Sequence, residues 1–209
     1  MIAVIDYGMG NLRSVQKALE HVGAKVIVTH DPSLIISADS VVLPGVGAFK
    51  DCMANLTKLN LVDPIRKFID SGKPFLGICL GLQVLFEESE EYGPVAGLGV
   101  LPGKVVKFAS ESSEAKSSPP IKIPHMGWNN IEVKKRVPLF DRLDADPYFY
   151  FVHSYYVVPE DQSMVATVTN YGVEFVSGIQ YKNIYAFQFH PEKSQTMGLS
   201  LLERFSNLN

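Results

Sequence analysis

Two stretches of this 209-residue chain combine residues able to do nucleophilic and proton-transfer chemistry. The first is Gly77-Ile78-Cys79-Leu80-Gly81-Leu82-Gln83. It follows an apolar run (Pro74, Phe75, Leu76) that reads as a buried strand, and it opens into a helical pattern through Leu85 and Phe86. A cysteine with glycine two places before and two after fits a sharp strand-to-helix turn, because glycine tolerates crowded backbone. Hydrolases build the same elbow around serine. Such a turn lifts the side chain out of the sheet and sets the sulfur at a helix N-terminus. There the free N–H groups and the helix dipole favour thiolate over thiol. The competing reading of Cys79 is a small buried apolar residue, the commoner fate of a lone cysteine. The second stretch is Phe189-His190-Pro191-Glu192, at the end of a strand over 184–189. His190 suits a general base and Glu192 its orienter. In an extended segment positions two apart face the same way, so the two side chains can meet. Taken alone, this stretch reads equally well as a structural histidine beside a surface glutamate.

The elements that would position these groups follow from hydrophobic periodicity. Residues 2–5 read as a buried strand, 12–22 as a helix stopped by Gly23, 25–28 as a second strand and 40–43 as a third. Asp31-Pro32 reads as the start of a turn. Helical segments follow near 48–58 and 62–70, and 74–78 is the strand feeding Cys79. This β-α-β opening argues for a parallel sheet. Beyond Gly97, short strands are expected near 100–108 and at 131–133, 148–152, 155–158, 164–169, 174–180 and 184–189, with a final helix over 195–207. Residues 109–120 are polar and of low complexity and read as an exposed loop. Residues 124–129, punctuated by proline and glycine, also read as a loop. No repeat or linker divides the chain, so one domain over 1–209 is expected.

Composition narrows the classes. Lys and Arg number 19 against 22 Asp and Glu, a net charge of −3, so there is no basic footprint for nucleic acid. Two cysteines, Cys52 and Cys79, make no disulfide framework, and a reducing cytoplasmic setting is the default. The opening strand is no signal peptide, and no apolar run reaches the length of a membrane span. His125 and His153 show no metal-ligand spacing with carboxylates or cysteines, so no metal is expected. Gly8 and Gly10 lack the third glycine of a dinucleotide fingerprint, and no cofactor is expected. Cys52 reads as a buried helix residue.

Read together, G-x-C-x-G and a distant H-P-E at a strand end resemble the class I, triad-type glutamine amidotransferases over nearly the whole chain. The resemblance implies an α/β fold, an open mostly parallel sheet with helices on both faces, and a triad at the carboxyl ends of its strands. It implies a Cys79 thiolate attacking the side-chain amide of glutamine, His190 protonating the departing ammonia, and a glutamyl thioester that water then hydrolyses. Glu192 would fix and stabilise the imidazolium. Oxyanion donors would be the N–H of Leu80 and one from Pro44-Gly45-Val46-Gly47, with Val46 first and Gly47 next. Gly45 and Gly47 leave the Val46 peptide free to swing that N–H towards or away from the oxyanion. Gln83, one helical turn past Cys79, suits the substrate's α-carboxylate or amino group. Tyr150 and Ser154 would line the glutamine pocket or lie in the core.

Five stretches narrow the resemblance further, to the glutaminase subunits of imidazole glycerol phosphate synthase. They are Asp6-Tyr7-Gly8-Met9-Gly10-Asn11-Leu12-Arg13-Ser14-Val15, Leu43-Pro44-Gly45-Val46-Gly47-Ala48-Phe49, Pro124-His125-Met126-Gly127-Trp128-Asn129, Tyr150-Phe151-Val152-His153-Ser154-Tyr155 and His190-Pro191-Glu192-Lys193-Ser194. The implied partner is a (β/α)8-barrel cyclase subunit that receives ammonia internally. Asn11, Trp128 and Lys193 would face it, tryptophan being a favoured interface anchor. Two alternatives are a triad glutaminase of another pathway, such as pyridoxal phosphate synthesis, and a noncatalytic interaction protein on the same fold. The glycine loop around Val46 and the Asp6–Asn11 opening weigh against the first. The intact Cys79, His190 and Glu192 weigh against the second.

Overall fold

The computed structural model describes residues 1–109, 121–141 and 143–208. Residues 110–120, nearly all of the expected 109–120 loop, lie outside them. The first half alternates strand and helix: β1 (Ile2–Ile5), α1 (Leu12–His21), β2 (Val26–Thr29), α2 (Pro32–Ser37), β3 (Ser40–Gly45), α3 (Phe49–Lys58), α4 (Val62–Asp70), β4 (Phe75–Cys79) and α5 (Leu80–Gln83). The second half is mostly strand: β5 (Phe86–Ser89), β6 (Val95–Ala96), β7 (Leu101–Lys107), β8 (His125–Asn130), β9 (Glu132–Val133), β10 (Tyr148–His153), β11 (Tyr155–Pro159), β12 (Val165–Tyr171), β13 (Val173–Tyr181) and β14 (Ile184–Phe187). Helix α6 (Gln195–Ser206) closes the chain.

The main sheet runs β2-β1-β3-β4-β14-β13-β11-β7-β5-β6, with β12 and β9 attached at β13. Strands β2, β1, β3, β4 and β14 pair in parallel. From β14 onwards most pairings turn antiparallel. The period-two alternation of the strands feeds two apolar layers. Ala3, Ile5, Val41, Leu43 and Phe75 face one layer with residues of α2, α3 and α4. Ile2, Val4, Val42, Leu76 and Ile78 face the other, with α1 and α6. Helices on both faces of an open sheet therefore follow from strands that are buried on both sides.

Three local expectations change. Asp31-Pro32 starts α2 rather than a simple turn: the Asp31 side chain accepts from the Ser33 N–H at 2.8 Å, and Pro32 occupies the first helical position. The helix after Cys79 stops at Gln83, and Phe86 begins a strand. The carbonyls of Val84, Leu85 and Phe86 accept from the 98–101 backbone, so they are taken from any continuing helix. Residues 125–129 of the expected 124–129 loop, with Asn130, form β8 and pair antiparallel with β10, His125 opposite His153 and Trp128 opposite Tyr150. A neighbouring strand overrides the local proline and glycine signal.

Candidate active site

Cys79 ends β4 with φ 54 and ψ −106, a backbone conformation that side-chain-bearing residues seldom adopt. Such strain costs on the order of 1–3 kcal/mol and persists only where its surroundings enforce it. The enforcement is close packing. A Cβ on Gly81 would lie 1.9 Å from the Leu43 carbonyl oxygen, and one on Gly77 would lie 2.6 Å from the Gly81 oxygen. Only glycine allows β3, β4 and α5 to approach this closely, and the turn is left one way to go.

Strand β14 lies beside β4, with Phe187 opposite Ile78, so the chain beyond β14 passes next to Cys79. His190 and Glu192 meet in a tight turn rather than along an extended segment, since the Lys193 N–H closes back on the His190 carbonyl at 3.0 Å. The turn is clamped by Ser194. Its hydroxyl donates to the His190 carbonyl at 2.6 Å and accepts from the Tyr150 N–H at 3.0 Å, while the His190 N–H donates to the Tyr150 carbonyl at 2.9 Å.

Within this frame His190 Nδ1 donates to Glu192 Oε1 at 2.8 Å, and both side chains are buried. Its Nε2 is buried without a hydrogen-bond partner among the described residues. Burial alone would push His190 down, but the Cys79 sulfur and then the Glu192 carboxylate outweigh it and raise the pKa to about 10. The imidazole is thus poised as a cation between a carboxylate and a sulfur, the arrangement of an activated cysteine nucleophile.

Cys79 opens onto a cavity of about 530 Å³ that is also lined by Val46, Gly47, Leu80, Gln83, Ser154 and Tyr155. The parallel register sets Gly45 opposite Cys79, so Val46 and Leu80 are the next residues on adjacent strand ends. Both expected oxyanion donors therefore flank the nucleophile. Among the described residues, Val46 is not in the left-handed region; Gly47 takes the positive φ of 97°.

Tyr150 is not among the residues lining the cavity. Its ring packs edge-on to Trp128 at 6.2 Å and lies 5.7 Å from the Lys193 ammonium. It joins those two expected interface residues rather than Gln83 and Ser154. On the outward face of β8, Trp128 is 47% and Met126 63% exposed. Asn11 caps α1, its side chain accepting from the Ser14 N–H at 3.4 Å, and α1 packs on the turn that carries Lys193.

Four functional candidates escaped the sequence reading. Glu91 and Lys107, of opposite charge, are among the residues that line the cavity. One Glu91 oxygen accepts from the Phe49 N–H, at the start of α3, at 2.7 Å. Gln188 is wholly buried and donates to the Cys79 sulfur at 3.5 Å. His153 lines the cavity and is bound to His125 across β8 and β10 at 2.9 Å. Adjacent-residue spacing signals none of these; each depends on strands paired far along the chain.

The model for glutamine amidotransferase class-I matches residues 3–207. The chain belongs to the class-I glutamine amidotransferases. Its curated relatives include a protein of Syntrophotalea carbinolica, 53% identical over 208 residues and covering 100% of both chains, named imidazole glycerol phosphate synthase subunit HisH. A protein of Aquifex aeolicus with the same name is 56% identical, covering 97% of this chain and 94% of its own. Among solved structures, a glutamine amidotransferase superposes with a TM-score of 0.73 at 17% identity, covering 100% of both chains. The structure of PurLQS from Thermotoga maritima gives 0.73 at 19% identity, over 99% of this chain and 97% of that one. These two likenesses speak for the fold. Among the described residues of this amidotransferase, no helix is long and apolar enough to cross a membrane.

The histidine pair of the amidotransferase has a fixed polarity. His153 Nδ1 lies 2.8 Å from the Tyr155 carbonyl, which can only accept, so Nδ1 carries the proton. His153 Nε2 then accepts from His125 Nδ1, and His125 Nε2 accepts from the Asn129 amide at 3.3 Å. Burial lowers His125 to about 4 and His153 to about 3, the latter despite its bond to the Tyr155 carbonyl. Both folded-state values lie below the unfolded value near 6.5. The unfolded chain therefore binds more protons as pH falls through 6.5, and stability is lost progressively towards pH 4. The urea midpoint is expected to drop between pH 7 and pH 4.5 by the equivalent of about a few kcal/mol. Replacing His125 by phenylalanine should shrink that drop, and an equal pH dependence in the variant would contradict it.

Proposed function

We propose that this chain is the glutaminase subunit of an imidazole glycerol phosphate synthase, releasing glutamate and handing ammonia to a (β/α)8-barrel cyclase subunit. The observation that carries the reading is the strained Cys79, which lines the cavity, with a carboxylate-bound, raised-pKa His190 beside it. The names of the full-length relatives support the pathway, histidine biosynthesis.

In this reading glutamine enters with its side-chain amide towards Cys79. The Lys107 ammonium suits its α-carboxylate and the Glu91 carboxylate its α-ammonium, two residues of opposite charge that line the cavity. The sulfur attacks the amide carbon, and the N–H groups of Leu80 and Val46 receive the developing oxyanion. The His190 imidazolium gives its Nε2 proton to the leaving nitrogen, so ammonia departs and a glutamyl thioester remains. Neutral His190 then takes a proton from water, the resulting hydroxide attacks the thioester, and glutamate leaves as Cys79 becomes thiolate again. Ser154 borders the substrate, whereas Gln83 spends both amide protons inside the protein. The exposed Met126 and Trp128, with Tyr150 and Lys193, form the docking face, and Asn11 stands near its edge.

The test is glutamate release from glutamine by the chain alone and with the barrel cyclase holding its phosphorylated ribulosyl substrate. Release is expected in both cases, faster by about tenfold or more with the liganded partner, a typical coupling between sites. Trp128→Ala should weaken the complex by about 2 kcal/mol, as a buried aromatic anchor does. No glutamate under either condition would refute the reading.

A further inference from the structure

Thiolate formation at Cys79 lacks one support that its position would suggest. Helix α5 has four residues, too few to build a strong dipole at its start. The sulfur instead touches a side-chain amide. Gln188 follows β14, two residues before His190, and no part of it is exposed. Its Nε2 lies 3.5 Å from the Cys79 sulfur, an ordinary N–H···S distance.

Which end of that amide faces the sulfur is decided by the network behind it. The Tyr155 carbonyl accepts from the Gln83 amide at 3.1 Å and from His153 at 2.8 Å. A backbone carbonyl has no proton to give, so Gln83 must present its nitrogen there. The second proton of that nitrogen goes to Gln188 at 3.0 Å, and only the Gln188 oxygen can receive it. Gln188 is thereby turned with its nitrogen towards Cys79. The opposite orientation would set oxygen against the sulfur and nitrogen against nitrogen, leaving the Gln83 proton without an acceptor in a buried site. Backbone geometry at Tyr155 thus aims a proton at the nucleophile from two side chains away.

We infer that Gln188 is a catalytic residue that donates a hydrogen bond to the Cys79 thiolate, with Gln83 as the positioning residue that sets its orientation. A hydrogen bond made to the charged form favours that form, and it counts for more where water is excluded. This inference deepens the glutaminase reading and rests on Cys79 as its nucleophile.

The test is the pH dependence of iodoacetamide alkylation of Cys79 in the full chain, with the modified peptide identified by mass so that Cys52 does not interfere. Gln188→Met keeps the bulk and removes the donor. Its alkylation midpoint should rise by about one pH unit, slowing alkylation about tenfold below the midpoint, with the limiting rate at high pH kept. Gln188→Glu sets a negative charge against the sulfur and should raise the midpoint further. Gln83→Met releases the orientation and should fall between Gln188→Met and the parent. If Gln188→Met does not fold, the other two variants decide. Midpoints equal to the parent's, or a lowered limiting rate with an unmoved midpoint, would overturn the inference, the latter because Gln188 would then only hold the shape of the site. Alkylation reads the sulfur whether or not glutamine is turned over. Shifted midpoints without glutaminase activity would therefore sink the functional reading and leave the role of Gln188 standing.

Discussion

Cys79→Ser is expected to lower glutamine hydrolysis by at least about 10⁴-fold, because removing a nucleophile from a triad disables the group that acts as a unit. Serine is isosteric enough to occupy the elbow, whose backbone is held by the contacts of Gly77 and Gly81 rather than by the side chain. What it lacks is an ionised form. The surroundings of Cys79 are arranged for a thiolate: an imidazolium raised to about 10 and an amide N–H at 3.5 Å. A serine hydroxyl does not ionise near neutral pH, and replacing the sulfur also removes the largest influence that raises His190, so no ready-made anion and imidazolium pair remains. Trp128 of the proposed docking face lies on β8, in the two-stranded β8–β10 sheet and not in the sheet whose β4 ends at Cys79, so binding to the proposed cyclase partner should be unchanged. With ammonium salt supplied in place of glutamine, the complex should still form cyclised product. Glutamate release at the parent rate would eliminate covalent catalysis at Cys79. Loss of the ammonium-dependent reaction would show instead that the substitution disturbs the partner.

How much of this was legible beforehand follows the range of the interactions. The elbow could be read because its requirement is local: two glycines at fixed spacing around a cysteine, after an apolar strand. The contact of His190 with Glu192 could be read because they lie two residues apart at a strand end, although a tight turn rather than an extended segment brings them together. The buried strands of the first half could be read as continuous apolar runs, whereas helices on both faces were implied by the resemblance. Gln188 could not, since it meets Cys79 only through the pairing of β4 with β14, 109 residues apart in sequence. Glu91 and Lys107 reach the cavity from strands and turns whose own positions depend on β5 pairing with β7. The 125–129 segment was misread for the same reason: its extended form comes from β10, and no local propensity announces it. The length of α5 was misread because the carbonyls that would continue it are claimed by residues near 98–101. Tyr150 was expected at the glutamine pocket or in the core; strand alternation sets it on the less buried side with Tyr148, while Phe149 and Phe151 are buried.

Glu192→Gln is expected to reduce turnover by about 10²–10⁴-fold, and His190→Ala by more, on the order of 10⁵–10⁶-fold, in keeping with the unequal costs of triad members. His190 carries the proton that the leaving nitrogen needs, and the buried His153 of the cavity, lowered to about 3 by burial, does not hold one to replace it. Glu192 moves no proton. It accepts from Nδ1 at 2.8 Å, which leaves Nε2 facing the sulfur, and its charge favours the imidazolium. Glutamine keeps the length and one acceptor oxygen, so Nδ1 can still donate and the ring can hold its tautomer. The Glu192 Oε2 has no hydrogen-bond partner among the described residues, so an amide nitrogen in its place loses no existing bond but buries an unpaired donor. That cost falls on the correct orientation and accounts for part of the loss. The charge accounts for the rest, and it has a signature of its own. Burial pushes His190 down, while the sulfur and then Glu192 push it up to about 10. Removing the carboxylate lowers the imidazolium pKa, so the general acid is lost at lower pH than in the parent. The alkaline limb of kcat/KM should move to lower pH in Glu192→Gln, with the largest deficit at high pH. A uniform loss at all pH values would assign Glu192 to orientation alone, and a loss exceeding that of His190→Ala would mean that it does more than orient and stabilise the ring.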